Sequence, residues 1–171
     1  MNSKRICETR FQPLLSSTGM AKFWLFKSEP SAYSIDDLKK DGATCWDGIR
    51  NYQARNLIRD EIRKGDRVLL YHSSASPPGV AGLARVVREA YPDDTALDPK
   101  HPQFDPISKR DEPTWFMVDI EWEETFPQVV SLSEIRAKPQ LKDMVLVNNS
   151  RLSVQPVRKK EFERILKMAG S

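Results

Sequence analysis

From Thr114 to Trp122 the residues alternate in character: Phe116, Val118, Ile120 and Trp122 fall on one side, Met117, Asp119 and Glu121 on the other. A period of two marks a strand resting one face on a core, and a helical bundle has no use for it. Other short runs add to it. Lys22-Phe23-Trp24-Leu25-Phe26 is aromatic and apolar on both sides, which suits a central strand buried on both faces. It ends at Lys27-Ser28-Glu29-Pro30, where the proline stops sheet pairing. Arg67–His72, the small-residue run Gly79–Val87 and Leu152–Val157 supply further extended pieces. Small residues in Gly79–Val87 leave room for a backbone or a ligand to come close. Helical stretches lie between them. Ser34 caps one that Gly42 closes, Ala54, Leu57, Ile58 and Ile62 line another, Ser131-Leu132-Ser133-Glu134 is a capping box, and Phe162, Ile165, Leu166 and Ala169 form a last apolar stripe. Strands mixed with short helices predict an α+β fold, a small bent sheet or barrel with helices around it.

Twelve prolines against seven glycines imply many rigid turns, and five of the prolines fall between Tyr91 and Pro113. So long a polar stretch inside a compact domain is expected to be functional or mobile. Met1–Gly19 lacks periodicity and a continuous apolar run, so residues 1–20 read as a loose tail before one domain spanning 21–169. No run reaches the roughly 20 apolar residues that a membrane-spanning helix needs. The two cysteines, Cys7 and Cys45, form neither a disulfide framework nor a metal motif, which favours a reducing compartment and no bound metal. A net charge of +3 is too small for binding DNA by charge alone. Arg55, Arg59 and Arg63 nevertheless share one helix face, either a solvated surface or a modest phosphate-contacting patch.

The densest chemistry lies in Cys45-Trp46-Asp47-Gly48-Ile49-Arg50-Asn51-Tyr52-Gln53-Ala54-Arg55-Asn56. Indole, carboxylate, guanidinium and amides crowd a strand-to-helix junction, where Gly48 permits a sharp turn and helical N–H groups face outward. This is the expected mouth of a binding site.

That stretch, together with Trp24–Pro30, Tyr71-His72-Ser73, Pro78–Leu83, Tyr91-Pro92-Asp93, Phe104-Asp105-Pro106, Trp115–Ile120 and Leu152–Val157, resembles the EVE domain family over about residues 22–168, block by block and in the same order. The resemblance implies a PUA-like pseudobarrel, a bent mixed sheet with peripheral helices, and a role in reading a modified base in DNA or RNA. In the neighbouring YTH family, which reads methylated adenine in RNA, a Lys-Ser strand end and a cage tryptophan look equivalent to Lys27-Ser28 and Trp46.

A reader of a base needs stacking surface, donors and acceptors for the base edge, and cations for phosphate. Trp46 is the expected stacking wall, since burying Asp47 and Gly48 beside it is awkward; Trp115 is the candidate second wall, unless it belongs to the strand it precedes. Asp47 and Asn51 can read the base edge, although Asn51 also suits a helix N-cap. Ser28 can hydrogen-bond the ligand or simply hold its turn. Lys27, Arg50, Arg55, Arg59 and His72 are candidates for phosphate or rim contacts, His72 having a structural alternative. Glu29 and Gln155 would support the pocket.

Enzyme templates are missing: there is no P-loop, dinucleotide fingerprint, nucleophile elbow or His/Cys metal spacing, so no catalytic residue and no cofactor is assigned. One rival is a small amidohydrolase of the related ASCH type acting on an N-acylated nucleoside, for which Lys27, Thr44 and Glu29 are of the right types. A protein-interaction adapter is another. The expected partner is nucleic acid carrying a modified base, with no membrane and no required oligomer. Without a basic nuclear-import cluster or an acidic tail, a bacterial cytoplasmic protein is expected, nuclear if the source is eukaryotic.

Overall fold

A computed structural model describes residues 20–171, so the reading of residues 1–19 as a loose tail, and Cys7 with it, lies outside the described residues. Six strands, β1 (Phe23–Ser28), β2 (Ala43–Trp46), β3 (Arg67–His72), β4 (Gly79–Pro92), β5 (Phe116–Ser131) and β6 (Val154–Val157), form one sheet in the order β2-β5-β4-β3-β1-β6. β1 runs parallel to β3, and every other neighbouring pair is antiparallel. Four register shifts between β4 and β5 add local twist and bend the sheet. The fold is therefore α+β with a curved mixed sheet.

Each face carries its own core. Trp24, Phe26, Trp46, Val68, Leu70, Val118 and Ile120 pack with helices α1 (Ile35–Asp41) and α2 (Tyr52–Asp60). Leu25, Leu69, Tyr71, Val80 and Leu83 pack on the other side with α3 (Leu132–Ala137), the short α4 (Val145–Asn148) and α5 (Lys159–Ala169). The continuous apolar runs of β1 and β3 follow from this, since both of their faces are covered.

Local signals set the helix ends. Ser34 and Ser131 close reciprocal capping boxes with Asp37 and Glu134. Gly82 shows what the small residues of β4 are for. A Cβ there would stand 2.3 Å from the Glu124 carbonyl oxygen and 2.8 Å from Ile35 Cγ1, so the close neighbours are β5 and α1 rather than a ligand. β5 extends well past Trp122 because Glu124, Thr125, Val130 and Ser131 remain paired to β4, while Glu123 falls at a register shift between the Leu83–Glu124 and Ala84–Trp122 pairs. No helix among the described residues is long and apolar enough to cross a membrane.

Candidate functional site

Being parallel neighbours, β1 and β3 end side by side at Ser28 and His72, and Ser73 N–H donates to the Ser28 carbonyl at 3.0 Å. Ser28 Oγ donates to the Tyr33 carbonyl at 2.7 Å, closing the turn that follows β1. From that turn the Tyr33 ring meets Trp46 edge-on, with centroids 6.3 Å apart, while Phe26 lies 5.6 Å from the indole. Ser28, Tyr33 and Trp46 thus converge where the ends of β1 and β2 approach across the curved sheet. Burial raises the Tyr33 phenol pKa, and the hydrogen bond to Asp41, 2.8 Å long, adds to the effect.

The exposure expected of Trp46 is not what the structure has. Its side chain is 2% exposed. The backbone turns away at Gly48, with φ +77°, but Thr44 and Trp46 share the inner face of β2, opposite Ile120 and Val118. Asp47 stays half-exposed beside it.

Several other candidate residues have structural duties, which for His72 and Asn51 are the alternatives left open by the sequence. His72 is an acceptor: its Nε2 takes the Ile35 N–H at 3.0 Å and so holds the start of α1. Burial lowers its pKa, outweighing the opposing pull of the Asp36 and Asp37 carboxylates. The folded pKa lies below the unfolded one, so the stabilisation is complete above about pH 6.5 and declines as pH falls from there toward the folded value. A His72→Gln protein keeps an acceptor without a titrating ring. Its denaturation midpoint should therefore vary less than the wild type's between pH 7 and 5, and parallel curves would refute this account of the ring.

Arg50 faces the protein rather than solvent. Its guanidinium donates to Asp93 Oδ2 at 2.8 Å, Thr95 Oγ1 at 3.0 Å, and the carbonyls of Ile49 and Gln103. Asp93 has no exposed side-chain surface and also accepts from Gly48 N–H at 2.8 Å. Burial alone would raise its pKa, but hydrogen bonds from Thr95, Arg50 and Gly48 bring it below the usual carboxylate value. Arg50 and Asp93 thus fasten the Trp46–Asn51 turn to the segment after β4, and Arg50 is no spare phosphate cation. Asn51 caps α2, accepting from Ala54 N–H at 2.9 Å.

Trp115 is 4% exposed and donates from Nε1 to Asp105 at 2.6 Å. Its ring lies 5.0 Å from Tyr52, with Arg50 and Arg55 over it. It anchors the loop before β5 next to the mouth rather than walling the space at Phe26 and Tyr33. That loop, expected to be functional or mobile, is tied down by bonds from Arg50, Trp115 and Asp105 N–H, the last to the Ala96 carbonyl at 3.0 Å.

Lys27 shares its sheet face with Leu25 and Tyr71, opposite to Thr44 and Trp46. Its Nζ donates to the Ser150 carbonyl, lies 5.4 Å from the Tyr71 ring centroid, and has its pKa lowered by burial. The lysine and threonine that hydrolysis would require are therefore on different sides of the sheet. Glu29 accepts from Ser74 Oγ at 3.3 Å. Gln155 is fully buried and donates to the carbonyls of Asn149 and Leu152, so it supports the turn before β6 rather than a pocket side chain. Arg59 pairs with Asp60, and Arg55 donates to the Thr114 carbonyl. Among the described residues no cluster of three His, Cys, Asp or Glu side chains is placed to hold a metal ion.

The sequence assigns no role to Tyr33, Asp93 or Tyr52, although Tyr52 lies in the expected mouth stretch. Tyr33 and Tyr52 each flank a helix-capping residue, Ser34 and Asn51. Asp93-Asp94-Thr95 has the form of an Asx cap, which was the available sign, and Asp93 does accept from Thr95 N–H.

Comparison with known proteins agrees with this architecture. The family model described as the EVE domain matches residues 22–168. The chain belongs to the EVE domain family. Human thymocyte nuclear protein 1 is 40% identical over 168 residues, covering 87% of this chain and 74% of the relative. A hypothetical protein from Leishmania major has the same fold, with TM-score 0.85, 46% identity, and coverage of 88% of this EVE chain and 96% of that one. The structure of human THYN1 protein in complex with 5-methylcytosine containing DNA aligns with TM-score 0.82 at 39% identity, covering 88% of this chain and 99% of that one.

Proposed function

We propose that this protein is a nucleic-acid reader that takes one modified base out of a strand and holds it between the turn after β1 and Trp46, with 5-methylcytosine in DNA as the leading ligand. The observation that carries the reading is the likeness, along nearly the whole domain, to human THYN1 protein bound to 5-methylcytosine containing DNA. The convergence of Ser28, Tyr33 and Trp46, with Asp47 half-exposed beside them, supports the same location.

Because Trp46 is almost wholly buried, a base reaches the indole only after neighbouring side chains part. Stacking then replaces intramolecular contacts, and the methyl group gains from the apolar surroundings of Phe26 and Trp46. Asp47 can accept from the exocyclic amine of cytosine. Ser28 Oγ, released from Tyr33, can donate to the base edge or accept from it.

In this reading the domain spans residues 21–169, binds without covalent chemistry, and works wherever modified nucleic acid is found, the nucleus in a eukaryote or the cytoplasm in a bacterium. Hydrolysis is disfavoured by the separation of Lys27 from Thr44 across the sheet. Oligonucleotides carrying methylcytosine, hydroxymethylcytosine or methyladenine, as DNA and as RNA, test this against plain controls at one fixed salt concentration, with mass spectrometry of the recovered strands. Preference for one modified strand, returned intact, is expected; a strand returned lighter by its modifying group would make the protein an enzyme.

Phosphate binding falls to the half-exposed Arg55 and the exposed Arg59 of α2. An Arg55→Glu, Arg59→Glu protein should bind modified and plain strands more weakly by the same factor. The slope of log affinity against log salt should flatten by about 0.9 for each phosphate that is no longer neutralised. Unaltered affinity would make that face merely solvated.

A further inference from the structure

Beside the Trp46–Asn51 turn the surface carries large apolar side chains that the pocket does not use. Tyr52 is 58% exposed, Phe104 39% and Ile107 74%. All three belong to one construction built around Trp115. The Tyr52 ring lies 5.0 Å from that of Trp115, whose Nε1 is held by Asp105, the residue between Phe104 and Pro106. Asp105 Oδ1 in turn accepts from Ile107 N–H at 3.0 Å, and Phe104 N–H donates to the His101 carbonyl at 3.0 Å.

The construction adjoins the mouth. Arg50 donates through Nε and Nη2 to the Gln103 carbonyl, and a Cβ on Gly48 would lie 3.5 Å from Gln103 Cγ. Exposed apolar groups held this firmly are a surface, not a fraying loop.

Its charge points to the occupant. Arg55 lies 5.0 Å from the Tyr52 ring centroid and hydrogen-bonds only neutral acceptors, Asn56 Oδ1 and the Thr114 carbonyl. Among the described residues no carboxylate comes within ion-pair distance of it. A rigid aromatic ring, two apolar side chains and a guanidinium with no carboxylate in direct contact match a nucleic-acid strand, whose bases offer flat faces and whose backbone supplies negative charge.

We propose that Tyr52, Phe104 and Ile107 form a stacking ridge for the nucleotides that flank the base taken into the pocket. The inference rests on the base-reading function proposed above. Lifting a base out of a strand strips its neighbours of a stacking partner. A ridge at the rim offers them another surface, and every base has a face to stack, so the contact is indifferent to modification.

The test uses the whole protein with two variants, Tyr52→Ala and the double change Phe104→Ser, Ile107→Ser. Each is titrated by fluorescence anisotropy against one DNA duplex with a central 5-methylcytosine and the same duplex with cytosine, at several salt concentrations. Thermal melts verify that both variants fold. Both are expected to bind the two duplexes at least about fivefold more weakly, a typical loss for one stacked base. The preference for the methylated duplex and the slope against salt should match wild type, because the contact is neither in the pocket nor ionic.

Unchanged affinity would overturn the ridge and leave the surface to a protein partner. A changed preference would put these residues in the pocket, and a flattened slope would make them phosphate contacts; either result overturns the proposal. A wild-type protein that binds both duplexes equally, with variants still weakened, would sustain the ridge and refute base reading. No affinity for either duplex would overturn both.

Discussion

Replacing Asp93 with alanine is expected to be among the most damaging single changes in this domain. The carboxylate has no solvent contact and holds Gly48 N–H, the Arg50 guanidinium, and both the N–H and the hydroxyl of Thr95. Its loss leaves the part-buried Gly48 N–H without its acceptor and a mostly buried cation without its counter-ion. Breaking one partner of a buried pair typically costs about 3–5 kcal/mol. The net stability of a domain is only about 5–15 kcal/mol, so the Asp93→Ala protein should be marginal near physiological temperature. Much of that cost is the stranded charge, so adding Arg50→Met should return part of the lost stability. Chemical denaturation of wild type, the single variant and the double variant measures it. A single variant within about 0.5 kcal/mol of wild type would mean that the turn at Gly48 is held by something else. The pH dependence has the same origin. With the folded pKa of Asp93 depressed, its stabilisation is complete above the unfolded carboxylate range and is lost as pH falls through the folded value.

The second large effect concerns Trp46. Truncation to alanine would remove a core indole that touches Phe26 and Tyr33, at about 3–5 kcal/mol by the general cost of emptying an aromatic site. That variant therefore confounds folding with recognition. Trp46→Phe keeps an aromatic ring in the core and reduces the stacking area. It should remain folded, with a lower melting temperature, and should lose most of the preference for a modified base. Binding that does not depend on modification should survive, because Arg55 and Arg59 do not touch the indole. A folded Trp46→Phe protein with full preference would move the pocket away from the end of β2.

Much of this architecture is legible in short-range patterns, because short-range physics produces it. The alternation through Val118 and Ile120 marks β5, and the two-sided apolar run Trp24-Leu25-Phe26 marks a strand covered on both faces. Ser34, Asn51 and Ser131 stand where helices begin, and each caps its helix. What escaped was long-range pairing. Nothing near Arg50 announces Asp93, which lies 43 positions away, so Arg50 read as a free cation. The bond that His72 accepts from Ile35 N–H at the start of α1 spans 37 positions, so only the structure selects the structural alternative for the ring.

Two side-chain directions are legible in strand parity. Trp46 read as exposed because Asp47 and Gly48 are polar or small, yet its parity with Thr44 in β2 already directs it inward. Lys27 shares the parity of Leu25, not of Phe26, which puts its side chain on the opposite face of the sheet from Trp46. Strand parity was the better guide to side-chain direction, and neighbouring composition was the poorer one.

The most direct test of the central claim is a side-by-side titration of wild type and Trp46→Phe. One DNA duplex carries a single 5-methylcytosine, its twin carries cytosine, and both are measured at the same salt concentration. The account predicts that wild type prefers the methylated duplex by about tenfold or more, a difference of about 1.4 kcal/mol. It predicts that Trp46→Phe binds both duplexes nearly alike. Equal binding of the two duplexes by wild type, or an unchanged preference in a folded Trp46→Phe protein, would contradict it.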